Sequence, residues 1–305
     1  MKLRSLECLC EVVASGFSLS LAAQRLSASQ PTLTRQIQLL EQSLGFLVLQ
    51  RRGKKVSGLT PRGAVVHERA LRMLQEARLL SALPGDAPAE ARGRIAIATT
   101  HFHAKYTLLE PVTALRRRYP RVTVALVAGD SASIPDMVDM GRVDMGISVE
   151  SIEAHPELVY FPCTELHWVV LMPRAHPLAR VVRPDAEQLS RHPLIVYGQR
   201  FGANRRVLQI FADRGLTPDI AMTTADVEVI KAYVAADVGI AIVPARSYEK
   251  SRDPALAATP LDALIPPATA MLALRHGAVL RPYTRTLIRL LAPTVTEREL
   301  TQRFG

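Results

Sequence analysis

The chain has 305 residues, 48% of them hydrophobic, which is enough for a sizeable core and more than one domain. Its formal net charge of +10 favours an acidic partner, and no apolar run approaches the roughly twenty residues of a membrane span. Arg4, Glu7 and Glu11 interrupt the stretch a secretory signal would need, and Cys8, Cys10 and Cys163 form an odd, sparse set suited to reduced thiols in a core, so a cytoplasmic protein without a membrane partner is expected.

The charge is uneven along the chain. Residues 1–80 hold 12 Lys and Arg against 5 Asp and Glu, and the other 225 residues hold 26 against 23. In the first helix the apolar stripe predicted by spacing is Leu6, Leu9, Cys10 and Val13, ending at Ser15-Gly16. A short second helix follows, with Ser18 as its cap and Ala22, Ala23 and Leu26 as a small apolar face. Ser29 is placed to cap a third helix, Pro31 falls in its first turn, and Leu33, Ile37, Leu40 and Leu44 repeat at helical spacing.

The other face of this third helix presents Gln30, Thr32, Thr34, Arg35 and Gln36 near its start, after the short connection Ser27-Ala28-Ser29. Such side chains hydrogen-bond base edges or phosphates, and a helix-turn-helix places them in the major groove. Residues 46–49 and 56–59 read as two short strands around a basic wing of Arg51, Arg52, Lys54 and Lys55, suited to phosphates.

At this point the stretch AAQRLSASQPTLTRQIQLLEQSLGFLVLQRRGKKVSGLTPRG closely resembles the winged helix-turn-helix signature of LysR-type transcriptional regulators. The candidate DNA-binding residues are accordingly Gln30, Pro31, Thr32, Thr34, Arg35, Arg51, Lys54 and Lys55. Thr60 and Pro61 then open a long helix to about residue 80, whose Ala64, Val65, Leu71, Leu74, Ala77 and Leu79 are more than a lone helix can bury. In the resembled family this helix is a linker that pairs two subunits. The breaker-rich stretch SALPGDAP reads as a hinge near residues 81–92.

From Gly93 onward strands alternate with helices: strands at 94–100, 122–127, 144–148, 167–172, 194–197 and 239–243, helices at 104–118, 134–140, 204–214 and 226–235. Alternation of this kind predicts parallel sheets with a cleft at the carboxyl ends of the strands. The expected fold class is thus α+β overall: a winged helix-turn-helix over 1–60, a linker helix and hinge over 61–92, and an effector domain over 93–305. In family terms the last resembles a two-lobed α/β periplasmic-binding-protein-like domain, lobe I at about 93–165 and 268–305 and lobe II at about 166–267.

The motifs ATTHFHAKY, RYPRVTVAL and GLTPDIAMTTADVEVIKAYVAADVGIAIV resemble the branch of the family that contains CysB, the regulator of cysteine biosynthesis and sulfur assimilation. That branch ends its first effector strand in threonines and a glutamine suited to sulfate-like anions. Here Thr100 is kept, but Phe102, Val149 and Gly202 stand where the branch carries threonines, His103 where it carries glutamine, and Leu166 where it carries an aromatic, with Trp168 two residues on. The implied pocket is Thr99, Thr100, Phe102, His103, Val149, Gly202 and Thr224, taking a larger or less hydrated effector than inorganic sulfate, with a partly protonated His103 holding its anionic group.

The resemblance implies double-stranded operator DNA and a small anionic effector as partners, RNA polymerase as a third, and a dimer through the linker helix assembled into a tetramer. The alternatives are a regulator of another pathway sensing an unrelated organic anion, a DNA-binding protein with no effector, and a metal-dependent hydrolase using His101 and His103. The hydrolase lacks partners: His67, His155, His167, His176, His192 and His276 show no recurrent ligand spacing, and no G-x-S-x-G, P-loop or G-x-G-x-x-G is present. No catalysis, cofactor or metal is expected.

Overall fold

Three helices open the chain, and the second and third begin at side-chain caps. The computed structural model describes residues 2–53, 55–80, 91–149, 155–198 and 202–304. Helix α1 spans Leu3–Ala14, α2 spans Leu19–Arg25 and α3 spans Gln30–Leu44. Ser18 Oγ accepts from the Leu21 N–H and Ser29 Oγ from the Thr32 N–H, so both caps are made. Gly45, at φ +75°, ends α3 in the left-handed conformation that costs glycine least.

The buried stripe of α1 is rotated from the expected one. Ser5, Leu6, Cys8, Leu9 and Val12 are buried, while Cys10 and Val13 lie half-buried at its margin. The reason is that α1 packs against α3 and against a fourth helix at once, which draws the core face toward Cys8 and Val12.

The wing also differs from expectation. Strand β1 (Leu49–Arg52) starts three residues later than the expected 46–49 and pairs antiparallel with β2 (Lys55–Leu59), with Gly53 at φ +61° in the turn. The Glu41 carboxylate is the cause: buried on α3, its Oε1 accepts from the N–H groups of Val48 (2.9 Å) and Leu49 (3.3 Å), so residues 46–48 serve as a connector. Helix α4 (Pro61–Leu80) follows, with Thr60 Oγ1 accepting from the Gly63 N–H and donating to the Leu47 carbonyl. Its Ala70 and Leu74 are buried and its Val65 and Met73 exposed. Lys54, residues 81–90 of the expected hinge and the side chain of Leu79 lie outside the described residues.

The chain divides into two compact units, Met1–Gly85 with Met140–Arg142, and Asp86–Asp139 with Val143–Gly305. In the second, β3 (Gly93–Thr99) leads to α5 (His101–Tyr106), α6 (Leu109–Arg118), β4 (Val122–Ala128), α7 (Ser133–Asp139), β5 (Met145–Ser148) and β6 (Leu158–Leu166). Then come β7 (Trp168–Pro173), α8 (Ala186–Ser190), β8 (Leu194–Tyr197), α9 (Gly202–Ala212), β9 (Ile220–Thr224), α10 (Val227–Ala235) and β10 (Ile240–Pro244). β11 (Leu256–Pro260), β12 (Ala268–Arg275), α11 (Pro282–Leu291) and α12 (Glu297–Phe304) complete it.

These strands form two five-stranded sheets, in the orders β4-β3-β5-β12-β6 and β11-β7-β10-β8-β9. The sheets are mixed rather than parallel: β12 runs antiparallel to β5 and β6, and β7 antiparallel to β10 and β11. Only His167 separates β6 from β7, so the chain passes directly from one sheet to the other without a crossover helix that would restore direction. The helix expected over 104–118 is two helices. Pro111 cannot sit inside a continuous helix without clashing with the Thr107 carbonyl, so α5 closes at Thr107 and α6 restarts at Leu109.

Candidate functional site

Two groups of candidate residues exist, one in each unit. In the first, Gln30, Pro31, Thr32 and Arg35 are exposed at the start of α3, while Thr34 is half-buried. Their partners differ. Thr32 Oγ1 lies 2.8 Å from Ser29 Oγ inside the cap, Gln30 Oε1 accepts from Ser20 Oγ, and Gln36 Oε1 accepts from Ser5 Oγ, tying Gln36 to α1. Arg35 makes no ion pair among the described residues. On the wing, Arg51 and Lys55 are exposed, with Arg52 between them in the same hairpin. The base of this hairpin rests on Gly63, where a Cβ would stand 2.0 Å from the Val48 carbonyl oxygen.

The second group surrounds a cleft of about 670 Å³ in the second unit. Five of the expected residues line it: Thr100, Phe102, His103, Val149 and Gly202. Thr99 and Thr224 do not. Thr99 is buried in β3 with its hydroxyl donating to the Thr100 carbonyl, and Thr224 closes β9, where its Oγ1 accepts from the Asp226 N–H. Leu166 and Trp168, on either side of the sheet-to-sheet passage, both line the cleft, as do Ile210 and Ile265.

The chemistry at His103 differs from the expected partial protonation. Its side chain is almost fully buried, its Nδ1 lies 3.0 Å from Thr107 Oγ1, and its ring meets Phe102 edge-on at 5.1 Å. Burial, with a smaller contribution from the positive charge of Arg246, lowers its pKa to about 4. The imidazole is therefore neutral at neutral pH and offers a hydrogen bond, not a charge. Thr100 is likewise engaged, its Oγ1 accepting from the His103 N–H at 3.4 Å.

The cations of the cleft come from a segment that sequence reasoning passed over. Arg205, Arg206 and Arg214 line it from α9 and the turn after it, with Gln209 and Asp213 beside them. A signal existed: an Arg-Arg pair opens a helix directly after a strand, where α/β folds bind ligands.

Helix α5 faces two ways. Phe102 and His103 reach the cleft, whereas Tyr106 OH donates to Glu228 Oε1 on α10 and Lys105 Nζ lies 2.9 Å from the same oxygen. His101 Nδ1 is 3.7 Å from Asp226, so the two histidines of ATTHFHAKY have separate neighbours. Partial burial pushes the Glu228 carboxyl up, but the hydrogen bonds from Tyr106 and Lys105 and the charges of Lys231 and Lys105 outweigh it and hold the pKa below its ordinary value. Tyr106 shifts upward, through burial and through that same bond. Among the described residues no group of three or more His, Cys, Asp and Glu is placed to hold a metal ion, and no helix is long and apolar enough to cross a membrane.

Residues 3–64 match the bacterial regulatory helix-turn-helix proteins of the lysR family, and residues 88–295 match the LysR substrate binding domain. The HTH-type transcriptional regulator SsuR of Burkholderia cenocepacia is 35% identical over 300 residues, covering 98% of this chain and 97% of that protein. CysB of the same organism is 34% identical over 292 residues, covering 96% and 93%. The crystal structure of the cofactor-binding domain of the Cbl transcriptional regulator is similar at a TM-score of 0.66 and 30% identity, over 72% of this chain and 96% of that domain.

Proposed function

Because the chain belongs to the LysR family of bacterial transcriptional regulators, we propose that its first unit reads operator DNA and its second responds to a small organic anion of sulfur metabolism. The observation that carries this is the pairing of an outward Arg35 on a capped helix with a basic wing in one unit, and a cleft of about 670 Å³ in the other. Sulfur metabolism is favoured by similarity to CysB over nearly the whole chain. The anion is organic because Phe102, Leu166, Trp168 and Ile210 give the cleft an apolar wall that inorganic sulfate cannot use.

In this scheme Arg35, Gln30, Thr32 and Thr34 contact base edges and nearby phosphates, Pro31 sets the start of the reading helix, and Arg51, Lys54 and Lys55 contact phosphates. Residues 1–60 read DNA, 61–92 link, and 93–305 sense. Effector binding favours one arrangement of the sensing domain, and the linker carries that preference to the DNA-reading heads of a dimer joined through α4, itself part of a tetramer. RNA polymerase is the further partner, the cytoplasm is the location, and no catalytic role is assigned.

Gel retardation on operator and random duplexes tests the division of roles. Arg35→Ala is expected to weaken operator binding about tenfold while changing random-duplex binding much less. Lys55→Ala should weaken both by one factor and lower the salt slope by about one. Identical specificity profiles for the two variants would overturn the assignment.

A further inference from the structure

Helix α5 makes two sets of contacts, and one ring contact joins them. Phe102 and His103 line the cleft, while Lys105 and Tyr106 reach α10, which packs on the sheet β11-β7-β10-β8-β9. The Phe102 and Tyr106 ring centroids are 5.2 Å apart with the planes tilted by 33°, so the Tyr106 hydroxyl is placed by a residue that a ligand in the cleft would touch. That hydroxyl donates to Glu228 Oε1 and lies 3.4 Å from the Ser247 carbonyl oxygen, in the turn Ala245–Ser247 after β10.

The acceptor side of this bond is held still. Lys231 Nζ lies 2.7 Å from Asp253 Oδ1, 3.6 Å from Glu228 Oε2 and 3.1 Å from the Ser247 carbonyl oxygen, and the Lys231 and Asp253 side chains are only 11% and 9% exposed. A pair this buried keeps its geometry, because separating it would leave an uncompensated charge. The contact of Lys105 with the same Glu228 oxygen is exposed and screened. Movement of α5 against α10 therefore falls on the Tyr106–Glu228 bond.

We propose that α5 is the relay between the cleft and the second of the two sheets: an occupant that braces the Phe102 ring also braces the Tyr106 ring packed on it, and so tightens the Tyr106–Glu228 bond. Tyr106 is then a positioning residue that never touches the ligand. The inference rests on the sensing role proposed above and adds the path by which an occupied cleft alters this unit. Such a path needs an element whose two states the ligand biases, and this bond, made or open, supplies it.

Amide hydrogen exchange of the full-length protein reads the bond at residues 245–253, where the N–H groups of Tyr248, Arg252 and Asp253 are bonded within the segment. Phe102→Leu should speed exchange there about fivefold, and Tyr106→Phe at least as much. The double variant should be no faster than Tyr106→Phe alone, because the bond through which Phe102 acts is already gone. Ile210→Ala, which alters the cleft wall from α9, should leave exchange in this segment unchanged. Additive effects of the two α5 substitutions, or an equal response to Ile210→Ala, would overturn the relay. Trp168, the single tryptophan of the chain, lies in the cleft wall and reports occupancy by its emission. Of inorganic sulfate, ethanesulfonate and propionate, any that shifts this emission should slow the exchange in the unaltered protein and not in Tyr106→Phe. A shift in emission with no slowing would overturn the relay and leave the sensing role standing. If none of the three shifts it, the failure belongs to the sensing role, and the coupling of the two α5 variants still decides the relay.

Discussion

Arg35, Arg51 and Lys55 stand exposed on the first unit with no acidic partner among the described residues, whereas in the cleft Thr100 and His103 are buried and bonded within the protein, and the charged side chains that line it lie on α9 and the turn after it. The contrast follows from the two ligands. A duplex presents a row of phosphates, and many weak exposed contacts add up through counterion release. A small molecule must recover its desolvation within a few contacts, so interior charge in the cleft would cost more than it returns. The first unit therefore depends on a rigid backbone presenting charge outward, and the second on keeping the α5 side of its cleft uncharged.

Gly63→Ala attacks the rigid presentation and carries the largest expected effect. Its Cβ would meet the Val48 carbonyl oxygen at 2.0 Å, and that backbone is already fixed by Glu41, so the wing must shift relative to α4. A loss of about 3 kcal/mol in urea unfolding and loss of operator retardation are expected. Trp168 lies in the other unit, so its emission should be unchanged at low urea. Retained operator binding would show that the wing does not need this close contact.

His103→Gln tests the uncharged interior. The unfolded chain takes up a proton on this histidine near its ordinary value of 6.5, but the folded protein does so only near 4. Protons thus favour the unfolded state, and stability is complete above pH 6.5 and falls as pH drops toward 4. The histidine accounts for about 2 kcal/mol of loss between pH 7.5 and 5. Chemical unfolding of the two proteins over that range should give curves that diverge toward acid. Parallel curves would mean that His103 is protonated in the folded cleft after all.

The two units were unequally legible from sequence for a physical reason. The reading helix is local: Ser29, Pro31, Gly45 and a 3.6-residue period specify it within seventeen positions, and the structure keeps every one of those signals. The late start of β1 was not legible because it depends on Glu41 meeting Val48 and Leu49 across a turn. In the cleft, the aligned positions 100, 102, 103, 149 and 202 do converge, yet the neutrality of His103 depends on burial and on Arg246, far along the chain. The α9 arginines escaped notice because Val207, Ile210 and Phe211 make that helix read as a core helix with an ordinary solvated face. β9 and β12, rich in Ala and Thr, lack the alternation that marks a strand.

The bond between Tyr106 and Glu228 tests whether burial alone separates useful polar contacts from idle ones. Both Tyr106 and Lys105 reach the same Glu228 oxygen, but the tyrosine is half-buried and the lysine exposed. Tyr106→Phe removes the donor and leaves the carboxylate short of a partner, an expected loss of about 1.5 kcal/mol in thermal unfolding at neutral pH. Lys105→Ala removes a solvent-screened pair and should cost less than about 0.5 kcal/mol. Because Glu228 titrates below its ordinary value when folded, its stabilisation is present above the unfolded carboxyl value and is lost as pH falls through the folded one. The Tyr106→Phe penalty should therefore shrink toward acid. Equal penalties for the two variants at neutral pH would mean that charge, not burial, makes α5 hold to α10.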